Sequence, residues 1–307
     1  MTYLTAEGLP TEPAGARFRA LVNRGGILQM PGAHNGLAGI LAKRAGFEAL
    51  YLSGAAMTAS MGLPDLGIIT VDEVCFFART ISRATGLPIL VDGDTGYGGV
   101  LNTMHMVRAF EDAGAAAVHI EDQELPKKCG HLNGKRLVEP AEMAAKVAAA
   151  KRAARHLYVI ARTDAAGVEG FEAAVERAKR YLDAGADAIF PEALTSRDDF
   201  ARFAERVDAP LLANMTEFGR TPYLTAAEFE ALGYRMIIWP VSALRVAAKA
   251  EAELYAAIRR DGGTMRLLDR MQTRAELYDA IGLAAYEALD SSIAATVVPP
   301  DLRPAAE

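Results

Sequence analysis

One short pattern recurs along the chain and limits its fold more than any other feature. A helix-like stretch meets a glycine, and an apolar run follows that ends on polar residues. It reads Lys43-Arg-Ala-Gly-Phe-Glu-Ala-Leu-Tyr-Leu-Ser-Gly54, Glu111-Asp-Ala-Gly-Ala-Ala-Ala-Val-His-Ile-Glu-Asp122 and Leu182-Asp-Ala-Gly-Ala-Asp-Ala-Ile-Phe-Pro-Glu-Ala193, and more loosely Glu230-Ala-Leu-Gly-Tyr-Arg-Met-Ile-Ile-Trp-Pro240. Gly46, Gly114, Gly185 and Gly233 each stand where a helix would end in the left-handed conformation. The runs behind them are apolar on both faces, as in strands covered on both sides of a parallel sheet. Further runs at 27–30, 88–91, 157–161 and 210–213 bring the strand candidates to eight, with helical stretches between them. Alternating βα units build parallel sheets. Eight of them predict a closed (β/α)8 TIM-type barrel, with a doubly wound open sheet as the alternative.

Helix starts are legible too. Thr70-Val-Asp-Glu73, Thr225-Ala-Ala-Glu228 and Thr273-Arg-Ala-Glu276 have capping-box spacing, and Pro140 suits the first turn of an Ala-rich helix near 141–154. A length of 307 residues could hold two average domains, but a barrel commonly uses about 200–300 as one. No Pro/Gly/Ser-rich linker divides the chain, so 1–307 reads as a single barrel domain. Helical patterns at 242–261 and 273–290 exceed what the eighth unit needs and predict a C-terminal helical arm from about 242. A mobile tail is expected from about Ser291.

Thirty-three Lys and Arg against 39 Asp and Glu give a net charge of −6. That balance argues against nucleic acid and anionic membrane surfaces, which require basic patches. Two cysteines, Cys75 and Cys129, make no disulfide framework and fit a reducing compartment. The N-terminal segment lacks an apolar signal core, and no run reaches the roughly 18 apolar residues of a membrane span. The expectation is a cytoplasmic globular protein.

Barrel chemistry gathers where the strands end. At those ends stand Ser53, Asp92, Asp94, Glu121, Asp122, Arg162, Asp164, Glu192, Asn214 and Thr216, within segments otherwise made of Val, Ile, Leu and Ala. Converging carboxylates repel one another unless a cation sits among them, and oxygen-rich sites suit Mg2+ or Mn2+. Asp92-Gly-Asp94 alone would more often be turn chemistry; repetition of acids at several ends favours metal. With no HExxH or paired-Cys pattern, zinc is disfavoured. Arg162 has the planar fork that grips a carboxylate, or else forms a structural ion pair. Cys129 lies in Pro126-Lys-Lys-Cys-Gly-His131, where cations would favour thiolate, and such a thiol can shuttle protons near neutral pH. Cys75 instead shares a helical face with Val71, Val74, Ala78 and Ile81, as an inert core residue would.

Tyr51-Leu-Ser-Gly54, Val91-Asp-Gly-Asp-Thr-Gly96, His119-Ile-Glu-Asp-Gln123, Lys127-Lys-Cys-Gly-His131, Ala161-Arg-Thr-Asp-Ala165 and Asn214-Met-Thr-Glu-Phe-Gly219 occur in this order. Together they resemble the isocitrate lyase/phosphoenolpyruvate mutase superfamily, and within it the 2-methylisocitrate lyases, over roughly residues 27–290. The resemblance implies a homotetramer exchanging a C-terminal helix and a Mg2+-dependent cleavage of 2-methylisocitrate to pyruvate and succinate in propionate breakdown, with Mn2+ as a substitute. It implies metal positions at Asp92 and Asp94, with Asp65 and Glu121 in support. Cys129 would be the proton donor on a loop, 124–135, that closes, Arg162 would stabilise charge, and Tyr51 is a candidate for the initial base. Ser53, Gly54, Ala55, Gly130, His131, Glu192, Asn214, Met215, Thr216, Arg245 and Arg274 would contact a tricarboxylate or dicarboxylate. Gly93 and Ala55 depart from the common pattern, which leaves isocitrate and 2,3-dimethylmalate or other 2-alkylmalates as alternative substrates. Cys129-Gly130 in place of an asparagine–serine pair argues against a phosphonomutase. A barrel that has lost catalysis is the remaining alternative, against which Asp92, Asp94, Arg162 and Cys129 all speak.

Overall fold

The computed structural model describes residues 2–130, 132 and 134–293; His131, named among the substrate contacts, lies outside the described residues, as does the stretch from 294 on. The chain divides into two compact units, Pro10–Ala256 and a second that joins Met1–Leu9 to Ala257–Glu307.

In the larger unit, helix and strand alternate. After α1 (Ala14–Asn23) come β1 (Leu28–Pro31), α2 (Gly36–Arg44), β2 (Leu50–Leu52), α3 (Gly54–Ser60) and α4 (Val71–Thr85). Then follow β3 (Ile89–Asp92), α5 (Val100–Asp112), β4 (Ala117–Glu121), α6 (Pro140–Ala153), β5 (Tyr158–Thr163) and α7 (Phe171–Asp183). β6 (Ala188–Pro191), α8 (Arg197–Arg206), β7 (Leu212–Asn214), α9 (Ala226–Ala231), β8 (Met236–Trp239) and α10 (Ser242–Asp261) complete the series. Each strand candidate read from the sequence is a strand here, within a few residues.

Local signals fix the ends. Gly46, Gly114, Gly185 and Gly233 take φ of +93°, +94°, +101° and +93°, where a residue with a Cβ would be strained. The capping boxes at Thr70 and Thr225 are formed on both sides, each leaving fewer unpaired N–H groups in the first helical turn.

All pairings between neighbouring strands are parallel. One sheet runs β2-β3-β4-β5-β6 and the other β1-β8-β7, and single parallel bridges, Gly32 to Tyr51 and Ile189 to Leu211, join them at both edges. Strand side chains alternate between faces. One face (Leu52, Val91, Val118, Val159, Ile189, Ile237) packs in the large core with helix residues such as Val74, Phe110, Val147 and Phe203. The other (Met30, Tyr51, Leu90, Ala117, Ile160, Phe190, Leu212, Ile238) forms a second core that α1 joins through Phe18 and Val22. Continuing this second alternation by two residues leads from Leu90 to Asp92, from Ala117 through His119 to Glu121, from Ile160 to Arg162, from Phe190 to Glu192 and from Leu212 to Asn214. The same period that builds an apolar interior therefore stacks a charged layer on it.

The smaller unit holds α11 (Arg274–Ile281) and α12 (Leu283–Ile293). The helix expected over 273–290 is thus two helices, broken where Gly282 takes φ +74° and caps the first. Among the described residues no helix is long and apolar enough to cross a membrane.

Candidate active site

The charged layer is a mesh of buried ions centred on Arg162. Its guanidinium donates to Asp164 from Nε (2.9 Å) and Nη2 (3.3 Å), and it meets Glu121 at 3.2 Å and Glu192 at 3.3 Å. It lies 5.0 Å over the Phe190 ring. Removing a charge of this kind from water costs several kcal/mol, which only such close partners offset. Glu192 in turn accepts from Asn214 Nδ2 at 3.2 Å, and Asn214 Oδ1 accepts the Thr216 N–H at 3.0 Å.

A second group gathers on the Asp92 side. The Asp92 carboxylate accepts the Gly54 N–H at 3.0 Å and the Asp94 N–H at 3.1 Å. Ser53 caps the helix that starts there by accepting the Ala56 N–H at 3.4 Å. A Cβ on Gly54 would come within 2.9 Å of Asp92 Oδ2, so this close approach requires glycine. Burial pushes Asp92 up, but nearby His119, Lys127, Arg162 and the Gly54 N–H outweigh it and hold the carboxyl at about 2. His119 is itself pushed down to about 4 by burial, so at neutral pH the two cations and the N–H carry that stabilisation. Asp94 is raised to about 6, by burial first and by Asp92 and Asp65, against the pull of Lys127.

Lys127 is the residue whose position the sequence did not disclose. Read there as a cation favouring a thiolate, it is buried with its ammonium 2.6 Å from Asp65 and 2.7 Å from Asp94. Its pKa is raised well above the ordinary lysine value by Asp94, Asp92, Glu121 and Asp65, despite burial that works the other way. A cation therefore fits among these carboxylates. Glu121 Oε1 is buried without a hydrogen-bond partner among the described residues, and burial raises the Glu121 pKa. These are hard oxygen donors suited to Mg2+, which binds through one or two carboxylates and keeps several waters. Among the described residues no three His, Cys, Asp or Glu side chains come together as a metal cage.

Tyr51 is fully buried, its hydroxyl 2.8 Å from His119 Nε2 and 3.5 Å from Asp92 Oδ2. Burial and the negative charge of Asp92 raise its pKa well above 10. It is a phenol at neutral pH, so a base role requires that its own proton move on, and His119 Nε2 stands within hydrogen-bond reach to take it.

The cavity between these groups, about 110 Å3, is bounded by Ser53, Ala55, Asp92, Cys129, Gly130, Arg162, Asn214 and Arg245 among others. Gly130 is seated so deeply that a Cβ would fall 2.3 Å from Glu192 Cγ and 2.6 Å from Arg162 Nη2. Arg245 donates to the Glu217 carbonyl (2.8 Å) and carboxylate (3.0 Å). Met215 departs from the expectation: it is buried in the core with the helix residues, its sulfur accepting the Leu224 N–H at 3.2 Å. Arg274 begins α11, in the smaller unit. A roomier groove of about 490 Å3 lies beside Arg19, Lys151 and His156. Its Arg19 and Lys151 are already paired with Asp187, and it lacks convergent carboxylates.

The phosphoenolpyruvate phosphomutase family model matches residues 18–259. The 2-methylisocitrate lyase of Bacillus subtilis (strain 168) is 55% identical over 299 residues, covering 97% of this chain and 99% of that protein. That of Escherichia coli (strain K12) is 43% identical over 277 residues, covering 89% and 94%. Among solved structures, 2,3-dimethylmalate lyase superposes with a TM-score of 0.86 at 38% identity, covering 92% of this chain and 96% of that one. Phosphonopyruvate hydrolase, solved with oxalate and Mg++, gives 0.83 at 32% identity, covering 92% and 100%.

Proposed function

As a member of the isocitrate lyase/phosphoenolpyruvate mutase superfamily this chain is a carbon–carbon lyase, and we propose that it splits 2-methylisocitrate into pyruvate and succinate in the cavity beside Arg162. The observation that carries this reading is the seating of Gly130 against Arg162 and Glu192, in a cavity that Cys129 and Asp92 also line. The 2-methylisocitrate lyases named above favour this substrate over 2,3-dimethylmalate and isocitrate.

Cleavage begins as the substrate hydroxyl gives its proton to Tyr51, the candidate base, whose own proton passes to His119 Nε2 2.8 Å away. The bond to the neighbouring carbon then breaks, and its electron pair is left beside a carboxylate. Arg162, held by Asp164 and Glu121, is preorganised to stabilise oxyanions as charge develops, without reorganisation at the moment of reaction. Tyr51 and His119 form a neutral hydrogen-bonding pair at the cavity wall. Cys129 returns a proton to the carbon as succinate leaves. Asp92 and Asp94, with Asp65 and Glu121 behind them, would hold Mg2+ or Mn2+, which would polarise the oxygen that becomes the carbonyl. Ser53, the Gly54 N–H, Ala55, Asn214, Thr216 and Arg245 are the proposed substrate contacts. We further propose that the strands close as a (β/α)8 barrel through the two edge bridges. The enzyme would work in the cytoplasm as a homotetramer, its subunits exchanging the C-terminal helices.

Pyruvate release from 2-methylisocitrate, followed in the presence of Mg2+ and after EDTA, tests the reading. Turnover should require the metal, and Cys129→Ser should lower it by orders of magnitude while the melting temperature holds. No pyruvate from 2-methylisocitrate, isocitrate or 2,3-dimethylmalate would overturn it.

A further inference from the structure

Lys135 is a second buried lysine: its ammonium sits 2.7 Å from Asp164 Oδ1 and 2.5 Å from the Gly130 carbonyl oxygen. Asp164 is fully buried and is the same carboxylate that holds Arg162. Its own N–H is fixed by Asp122 at 2.9 Å. One immobile carboxylate thus ties together the arginine of the site and a lysine that grips the backbone of the thiol-bearing turn. The turn is braced elsewhere: Gln123 exchanges two hydrogen bonds with the Lys128 backbone (2.8 and 3.0 Å), and Leu132 N–H donates to the Cys129 carbonyl at 2.9 Å. Neither contact reaches the strand-end charges; Lys127, two residues before Cys129, does so at Asp94, on the other side of the thiol from Gly130. The described contact that carries the Gly130 carbonyl to them is Lys135.

We propose that Lys135 is a positioning residue: by linking the Gly130 carbonyl to Asp164, it sets the distance between the Cys129 thiol and Arg162. Burying an ammonium is unfavourable unless its partners are in place, so the lysine favours the arrangement in which both are met. With Lys135 lost, Gly130 would keep its fit against Glu192 but not its anchor, and the thiol would sample positions out of line with the reacting carbon. Displacement by about 1 Å can cost about 100-fold in rate. The proposal rests on the lyase reading for its kinetic consequence, but not for its geometry.

The experiment compares Lys135→Met, which keeps the length and removes the charge, with Lys135→Arg, which restores a donor. Two quantities are read: steady-state kinetics on 2-methylisocitrate, and the rate at which iodoacetamide alkylates Cys129 without substrate, resolved from Cys75 by peptide mass spectrometry. Lys135→Met should lower kcat by about 100-fold while KM stays within about threefold, the pattern of an interaction needed in the transition state. Alkylation should become several-fold faster, and Lys135→Arg should recover part of both. Unchanged alkylation in both variants would overturn the proposal, as would wild-type kcat in Lys135→Met. Faster alkylation in a protein whose wild type makes no pyruvate would leave the anchor standing and overturn the lyase reading instead.

Discussion

Glu121 and Asp122 are chain neighbours, both buried carboxylates, and they serve opposite sides of β4. Asp122 faces α7 and is saturated: it accepts from Thr163 Oγ1 and Tyr181 Oη at 2.8 Å each and from the Asp164 N–H at 2.9 Å, with Arg177 at 3.4 Å. Glu121 faces the cavity layer, shares Arg162 with two other carboxylates, and leaves Oε1 without a hydrogen bond. A buried acid whose lone pairs are all used holds structure together. One left unsatisfied beside a shared cation is available for a ligand, since an unmet buried polar atom otherwise costs about 1–3 kcal/mol.

The sharpest way to break this contrast is Asp122→Ala. Leaving the Thr163 and Tyr181 hydroxyls and the Asp164 N–H without their acceptor should cost about 3–5 kcal/mol, at about 1–3 kcal/mol for each unsatisfied buried donor, as measured by urea denaturation. A loss below about 1 kcal/mol would mean that the α7 side is not a structural network. Glu121→Gln should show the reverse. Its kcat/KM should fall by about 10–100-fold, a loss of about 1.5–3 kcal/mol typical of hydrogen bonds to charged groups, while the urea midpoint stays put or rises. A destabilised but fully active Glu121→Gln would erase the distinction.

The smallest effect concerns His119. Burial holds it neutral down to about 4 against the pull of Asp92. The folded pKa is thus depressed below the unfolded value of about 6.5. The stability from keeping His119 neutral is full above that unfolded value and is lost as pH falls from there towards 4, because the unfolded chain takes up the proton first. NMR of the imidazole nitrogens should show no titration between pH 5 and 8. A midpoint near 6.5 would place His119 in a far wetter site than its packing beside Tyr51 and Phe190 allows.

Much of this was legible in the sequence because its causes are local. Glycine after a helix, Thr-x-x-Glu at a helix start and an apolar run need only a few residues to declare themselves, and they located the eight strands and the polar residues at their ends. What escaped depends on contacts distant in the chain. Six acids at the strand ends read alike in sequence, yet strand alternation turns Asp122 away from Glu121. Lys127 read as a neighbour of Cys129 because only the fold shows Asp65 and Asp94 around its ammonium. Met215 looked like a cavity residue until Leu224 came round to meet its sulfur. Tyr51 read as a candidate base, and only the fold shows His119 and Asp92 beside its hydroxyl. Gly282 could have warned that the last helical stretch breaks.

The two-residue alternation of β4 also limits how this protein can vary. A one-residue deletion ahead of Glu121 within the strand would put Asp122 in its place and Gln123 in that of Asp122, and an insertion would put Ile120 in the cavity layer and Glu121 against α7. Either way the cavity loses its glutamate and α7 its aspartate. Length changes in such a lineage should therefore collect in the connections outside the strands, while strand lengths stay in step.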